Sequence, residues 1–143
     1  MSQVSEILDA KGRGAITIDG ESTVFDAVKA MVDANVGAIL VTGRGGIEGI
    51  FTERDYLSRI AVQGRTSRET KVREVMSAPV VVVTPETSID EVMAVMSDRK
   101  IRHVPVVAGS EIVGMVSIGD VVDFQSKQQS FQIKFLTEYI SAR

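Results

Sequence analysis

Apolar residues in this chain fall into two helical stripes and six short strand-like runs. Val24, Val28, Met31 and Val32 recur at helical spacing, and Ile89, Val92, Met93 and Met96 do so again. Thr23 stands three residues before Asp26, and Ser88 three before Glu91, the spacing of a helix-capping box. Short apolar runs at 15–18, 38–41 and 48–51, then at 80–83, 104–107 and 112–116, predict strands. Gly43-Arg44-Gly45-Gly46 and Ala108-Gly109-Ser110 read as turns between paired strands. With a second helix predicted after Thr52 and after Ser117, each half reads strand, helix, strand, strand, helix. The expected class is α+β.

The two halves are copies of one unit. Glu21-Ser22-Thr23-Val24 returns as Glu86-Thr87-Ser88-Ile89, at an offset of 65 residues. At the same offset, Gly49-Ile50-Phe51-Thr52-x-x-Asp55 returns as Gly114-Met115-Val116-Ser117-x-x-Asp120. Val4-Ser5-Glu6-Ile7-Leu8 matches Val72-Arg73-Glu74-Val75-Met76 at an offset of 68, so the first copy carries three extra residues near Lys11-Gly12-Arg13-Gly14. The expected organisation is repeat 1 over 1–62, a polar linker over 63–71, repeat 2 over 72–127 and a C-terminal helical extension over 128–143. Each unit is too small to bury its apolar face alone, so the two must pack together, related by a pseudo-twofold axis with a cleft at their junction. Phe131, Ile133, Phe135, Leu136, Tyr139 and Ile140 form an amphipathic stripe in the extension, to pack on its own domain or to serve as a dimer contact.

Composition narrows the function classes. A net charge of -3 gives no electrostatic reason to expect nucleic acid or an anionic membrane as partner. No apolar run approaches the roughly 18–20 residues of a bilayer span. The first residues do not resemble a signal peptide, and a cytoplasmic location is expected. Absence of cysteine removes disulfides, thiol catalysis and thiolate metal sites.

The chemistry concentrates at the two strand-to-helix junctions. A hydroxyl there can accept a backbone N–H of the helix, and an acid three residues on lies in the first turn, where the helix dipole favours negative charge. Thr52 with Asp55 and Ser117 with Asp120 could therefore be plain capping pairs. Three features point further: the acid is the short aspartate both times, each junction follows a Gly-x-x strand end, and the arrangement is repeated at one pseudo-symmetric interface. A short carboxylate so placed can accept two hydrogen bonds from a vicinal diol such as ribose, with a phosphate near the helix N-terminus.

Gly49-Ile50-Phe51-Thr52-Glu53-Arg54-Asp55 and Ile101-Arg102-His103-Val104-Pro105-Val106 resemble the signature motifs of a cystathionine β-synthase (CBS) domain pair, or Bateman module. The resemblance runs from Val4 to about Phe124, and both motifs fall in register in both repeats. The chain is most like small CBS-pair proteins of bacteria and plant organelles. The resemblance implies two β-α-β-β-α repeats stacked as a disc, with composite clefts for adenosine-containing ligands. One cleft would join Thr52, Arg54 and Asp55, with Ile50, to Ala78, Pro79, Val80, Arg102, His103, Val104 and Pro105. The other would join Ser117 and Asp120, with Met115, to Gly14, Ala15, Ile16, Gly37, Ala38 and Ile39. Asp55 and Asp120 would hold ribose hydroxyls, and apolar residues and backbone would hold adenine.

The clefts are not equivalent. Arg54 corresponds to Gly119, Arg102 to Gly37, His103 to Ala38 and Pro105 to Leu40. Two guanidinium groups favour a phosphorylated ligand in the Asp55 cleft, whereas the Asp120 cleft has only Lys11 or Arg13 as phosphate partners. His103 is the single histidine, either a polar neighbour or a phosphate contact, and its charge responds to pH near neutrality. Gly43-x-Gly45-Gly46 lacks the last glycine of a dinucleotide fingerprint, since Glu48 stands there, and no phosphate loop, zinc-helix motif or activated nucleophile occurs. The methionines read as core and cleft lining, without a metal. The expected function is a non-catalytic, homodimeric module sensing AMP, with ADP, ATP, NAD(H) or S-adenosylmethionine as alternatives, and acting on a regulated protein of another chain. The alternative is a ligand-independent dimeric scaffold for a partner such as a redox enzyme, by analogy with plant relatives that modulate thioredoxins.

Overall fold

The computed structural model describes residues 2–141, with side chains through Gln129. The apolar stripe of the extension, from Phe131 to Ile140, therefore lies outside the described side chains. The elements in order are α1 (Val4–Lys11), β1 (Thr17–Asp19), α2 (Val24–Ala34), β2 (Ala38–Gly43), β3 (Gly46–Thr52), α3 (Glu53–Asp55, continuing as a π-helical turn over Tyr56–Ala61), α4 (Val72–Val75), α5 (Ile89–Arg99), β4 (His103–Ala108), β5 (Glu111–Ser117) and α6 (Ile118–Ser141).

Caps set the long helices as their sequences require. Thr23 Oγ1 accepts the Asp26 N–H at 3.1 Å, and Ser88 Oγ accepts the Glu91 N–H at 3.1 Å. Both helices end in a left-handed residue, Asn35 and Lys100, each with φ 55°. The buried stripe of α2 is Val24, Ala27 and Met31, while Val32 is 71% exposed and Met93 of α5 is 38% exposed. The expected stripes thus included one outward residue each.

In the first half, β1 pairs parallel with β2, and β2 antiparallel with β3. In the second half β4 and β5 pair alone, and the strand expected over 80–83 shrinks to one bridge between Val83 and Val106. The reason lies in one residue. Leu40 N–H donates to Ile16 O at 3.1 Å in the first half, but its counterpart is Pro105, which has no N–H to extend the ladder. Only the Val83 N–H to Pro105 O and Val107 N–H to Val83 O bonds remain.

The opening helices are exchanged. α1 buries Val4, Ile7 and Leu8 with Val92, Val104, Val116 and other residues of the second half, whereas α4 buries Val72 and Val75 with Val24, Ile39, Phe51 and Ile60 of the first. Symmetric backbone bonds fasten the exchange: Val4 N–H to Thr87 O and Ile89 N–H to Ser2 O on one side, Val72 N–H to Ser22 O and Val24 N–H to Thr70 O on the other. Two glycines permit it. A Cβ at Gly114 would stand 2.6 Å from Leu8 Cδ2, and one at Gly49 would stand 2.9 Å from Ser77 O. An ionic cluster of Glu21, Lys71, Arg73 and Glu48 further ties α4 to the first half.

Leu8 is fully buried in the second-half core. Leu8→Ala should therefore cost about 2–5 kcal/mol in a urea unfolding experiment; a cost near zero would mean that α1 does not complete that core.

Candidate functional site

The exchange carries a segment of each repeat to the acid of the other. Ser77, just past α4, pairs with Ile50 of β3 through Ile50 N–H to Ser77 O at 2.9 Å and Ser77 N–H to Ile50 O at 2.8 Å. That brings 78–80, including a cis Ala78–Pro79 bond, beside the Thr52–Asp55 junction. On the other side, Gly14 N–H donates to Val113 O at 2.8 Å, which brings 11–16 beside the Ser117–Asp120 junction.

Both junctions are reciprocal capping pairs. Asp55 Oδ2 accepts the Thr52 N–H at 3.0 Å and the Thr52 hydroxyl at 3.2 Å, and the Asp55 N–H donates to Thr52 Oγ1. Asp120 Oδ2 accepts the Ser117 N–H at 2.8 Å, and the Asp120 N–H donates to Ser117 Oγ at 3.1 Å. The shorter aspartate closes the box here as a glutamate would.

Each acid also meets a group from the other repeat, Asp55 on the oxygen its cap leaves free and Asp120 on the capping oxygen itself. Asp55 Oδ1 accepts the Ser77 hydroxyl at 2.9 Å, with Arg59 Nε at 3.9 Å, and the residue is 6% exposed. The π-helical turn carries Arg59, whose guanidinium also donates to Val75 O and Met76 O. Asp120 Oδ2 instead accepts the Lys11 ammonium at 2.6 Å, and Lys11 donates as well to Met115 O at 2.8 Å. Lys11 is thus bound to the acid expected to hold a sugar, and Arg13 is paired with Asp9 at 3.0 Å. Neither Ser77 nor Arg59 was among the expected site residues. Ser77 falls just past the matched run Val72–Met76, and its partner is 22 positions away.

The remaining expected residues divide by burial. Ile50 and Met115 are half-buried at equivalent places on the faces that receive the exchanged segments. Arg54, Arg102 and Pro79 are exposed, and Arg54 and Arg102 form no ion pair with another described residue. Ala38, Ile39, Val104 and Pro105 are buried, with Ile39 and Val104 in the two cores. Gly14, Ala15, Ile16 and Val80 run along the entering segments, and Gly37 lies at the seam. There a Cβ on Gly37 would lie 3.0 Å from Glu53 Oε1 and 3.4 Å from His103 Nε2. His103 is also the ladder partner of Ser117, so it stands between the two junctions and next to the second.

Burial lowers the pKa of His103; the carboxylates of Glu53 and Asp120 pull it up, while Lys11 and Arg102 push it down further. For Asp120, burial pushes upward, but the Lys11 ammonium and the Ser117 N–H and hydroxyl outweigh it, and its pKa lies below the ordinary carboxylate value. Among the described residues no cluster of His, Asp and Glu could hold a metal ion, and no helix is long and apolar enough to cross a membrane.

The family model of the CBS domain matches residues 4–62 and again 72–127. The CBS domain-containing protein CBSX3, mitochondrial, of Arabidopsis thaliana is 41% identical over 96% of this chain and 71% of its own length. YhcV of Bacillus subtilis, also a CBS domain-containing protein, is 33% identical over 89% of this chain and 90% of its own. A signal-transduction protein with CBS domains from Burkholderia ambifaria superposes with a TM-score of 0.80 at 43% identity, covering 85% of this chain and 91% of that one. A hexameric CBS-CP12 protein from bloom-forming cyanobacteria superposes at 0.78 and 32% identity, over 85% of this chain and 70% of that one. The chain belongs to the CBS-domain family and carries a tandem pair of these domains, a regulatory or signal-transduction module of mixed α+β fold.

His103 has a folded pKa below its ordinary value near 6.5, so the unfolded chain takes up the proton first. Stability contributed by neutral His103 is present above that value and is lost as pH falls through it toward the folded value. Urea melts at pH 7.5, 6.5 and 5.5 should show declining stability, and His103→Gln should flatten the decline; an equal slope in the variant would remove His103 as its source. Asp120 acts in the same direction but in the acid range below the ordinary carboxylate value.

Proposed function

We propose that the clefts between the repeats take an adenosine-containing nucleotide, and that binding regulates a protein of another chain without catalysis. The observation that carries this reading is the mirrored pair of capped aspartates, each bonded to a segment of the other repeat. A ligand gripping such an acid bridges the two repeats and shifts the equilibrium between their packings by as much as it prefers one over the other.

Exchange chemistry separates the clefts. At Asp55 a ribose hydroxyl would replace the Ser77 hydroxyl on Oδ1, like for like. Arg54 and Arg102, which form no ion pair with another described residue, offer positive charge for phosphate, and the neutral His103 ring offers an N–H donor. At Asp120 the Lys11 ammonium is already paired with the capping oxygen Oδ2, so the acid carries a compensating charge before any ligand arrives. The Asp55 cleft is accordingly assigned to AMP as first choice, with ADP, ATP and NAD(H) as larger ligands of the same class.

A second reading, the ligand-independent scaffold, is favoured by one feature. Val32, Val36 and Leu57 in the first half and Met93, Ile118 and Val122 in the second are exposed apolar residues, and Leu57 and Val122 are equivalent in the repeat. A groove of about 480 Å³ runs between Val28, Val32, Val36, Tyr56 and Leu57. Homodimer formation and binding of a redox partner belong to this reading.

Isothermal titration of AMP, ADP, ATP, NAD(H) and S-adenosylmethionine separates the two. Losing a charge-assisted hydrogen bond costs about 1.5–3 kcal/mol, so Asp55→Ala should weaken AMP binding roughly 10- to 150-fold. The same variant should lose about 1 kcal/mol of stability with the cap. No heat from any of the five ligands on the wild-type protein, or a variant with lowered melting temperature and unchanged affinity, would leave the scaffold.

A further inference from the structure

We propose that the Ser77 hydroxyl is an internal competitor of the ligand in the first cleft, holding the Asp55 oxygen that a sugar hydroxyl must take. The inference rests on the nucleotide reading of the clefts and adds the contact that keeps one of them in check. Asp55 Oδ2 is committed to the cap, where it accepts the Thr52 N–H at 3.0 Å and the Thr52 hydroxyl at 3.2 Å. That leaves Oδ1, and Oδ1 accepts the Ser77 hydroxyl at 2.9 Å. The Asp55 side chain is only 9% exposed, so water has little access to stand in for that donor.

Three restraints place Ser77 there. Its backbone pairs with Ile50 in both directions, at 2.8 and 2.9 Å. Gly49 lets it approach, since a Cβ there would lie 2.9 Å from Ser77 O. Arg59 Nη1 donates to Val75 O at 3.0 Å and to Met76 O at 2.8 Å, fastening the two residues before it. The backbone is therefore held, whereas the hydroxyl can leave Oδ1 by rotating about one side-chain bond into another staggered position. The second junction lacks this device. By the repeat offsets, Asp9 stands where Ser77 does and pairs with Arg13, and Phe124 stands where Arg59 does. Asp120 takes both its cap and Lys11 on Oδ2; its Oδ1 has no hydrogen bond among the described residues.

An internal competitor has a thermodynamic signature that a ligand contact lacks. Removing the hydroxyl leaves a nearly buried carboxylate oxygen without its donor in the ligand-free protein, which is destabilised. The ligated protein, whose Oδ1 is already held by the sugar, loses nothing. Affinity therefore rises by the factor by which the ligand-free folding equilibrium falls. A serine that donates to the ligand gives the opposite sign, and one that only braces the fold changes stability alone.

Calorimetric titration of the full chain with AMP, paired with urea unfolding of the ligand-free protein, tests this. Asp120→Asn is carried throughout, so that only the first cleft titrates. Ser77→Ala should bind AMP roughly 10-fold or more tighter, the size of a lost hydrogen bond to a charged group. Its folding equilibrium constant should fall by a similar factor. Ser77→Cys, whose thiol is a weak donor, should shift both quantities the same way by less, and it serves where the alanine variant does not fold. Ser77→Thr, which keeps the hydroxyl, should match the parent. If AMP binds the parent but Ser77→Ala leaves its affinity unchanged or lowered, the competitor is wrong and the nucleotide reading stands. If AMP binds neither the parent nor Ser77→Ala, the nucleotide reading of this cleft fails and the competitor falls with it.

Discussion

Each repeat surrenders its opening helix to the other's core. α1 fills the space beside β4 and β5, while α4 fills the space beside β2 and β3, and matched backbone bonds at Val4, Ile89, Val72 and Val24 fix both. The driving force is burial of Val4, Ile7 and Leu8 on one side and Val72 and Val75 on the other, which neither sheet can cover from its own segment. Everything at the site follows from this crossing. The chain leaving each exchanged helix must return past the facing sheet, and in doing so it sets Ser77 on Asp55 and Lys11 on Asp120.

The two junctions show how a duplicated unit acquires unequal sites. Local chemistry is shared: strand end, hydroxyl, aspartate and helix form the same reciprocal box in both copies. What differs is the group arriving from outside. A hydroxyl encloses Asp55, and an ammonium pairs with the more open Asp120, whose side chain is 23% exposed. His103 stands between, in reach of Glu53 and Asp120, where its protonation would be felt on both sides.

Much of this was legible in the chain. The repeat, both caps, the central strand pairs and the two aspartates follow from local spacing, because hydroxyl caps and alternating burial act over three or four residues. Where the expectation failed, a distant partner decided. The strand over 80–83 gave way because Pro105, across the sheet, lacks the donor that Leu40 supplies. Val32 turned outward because Ala27 and Met31 already meet the sheet. The helix exchange leaves no local mark, since α1 would be equally amphipathic against either core. Lys11 was noted as a phosphate partner, but its bond to a residue 109 positions away depends on that exchange.

The most direct measurement is a crystal structure of the full chain grown with saturating AMP. The account predicts ribose hydroxyls on Asp55 Oδ1 in place of the Ser77 hydroxyl, with phosphate turned toward Arg54, Arg102 or His103. An intact Ser77–Asp55 bond in both presence and absence of AMP, with no ribose at either aspartate, would contradict it and reduce both acids to helix caps.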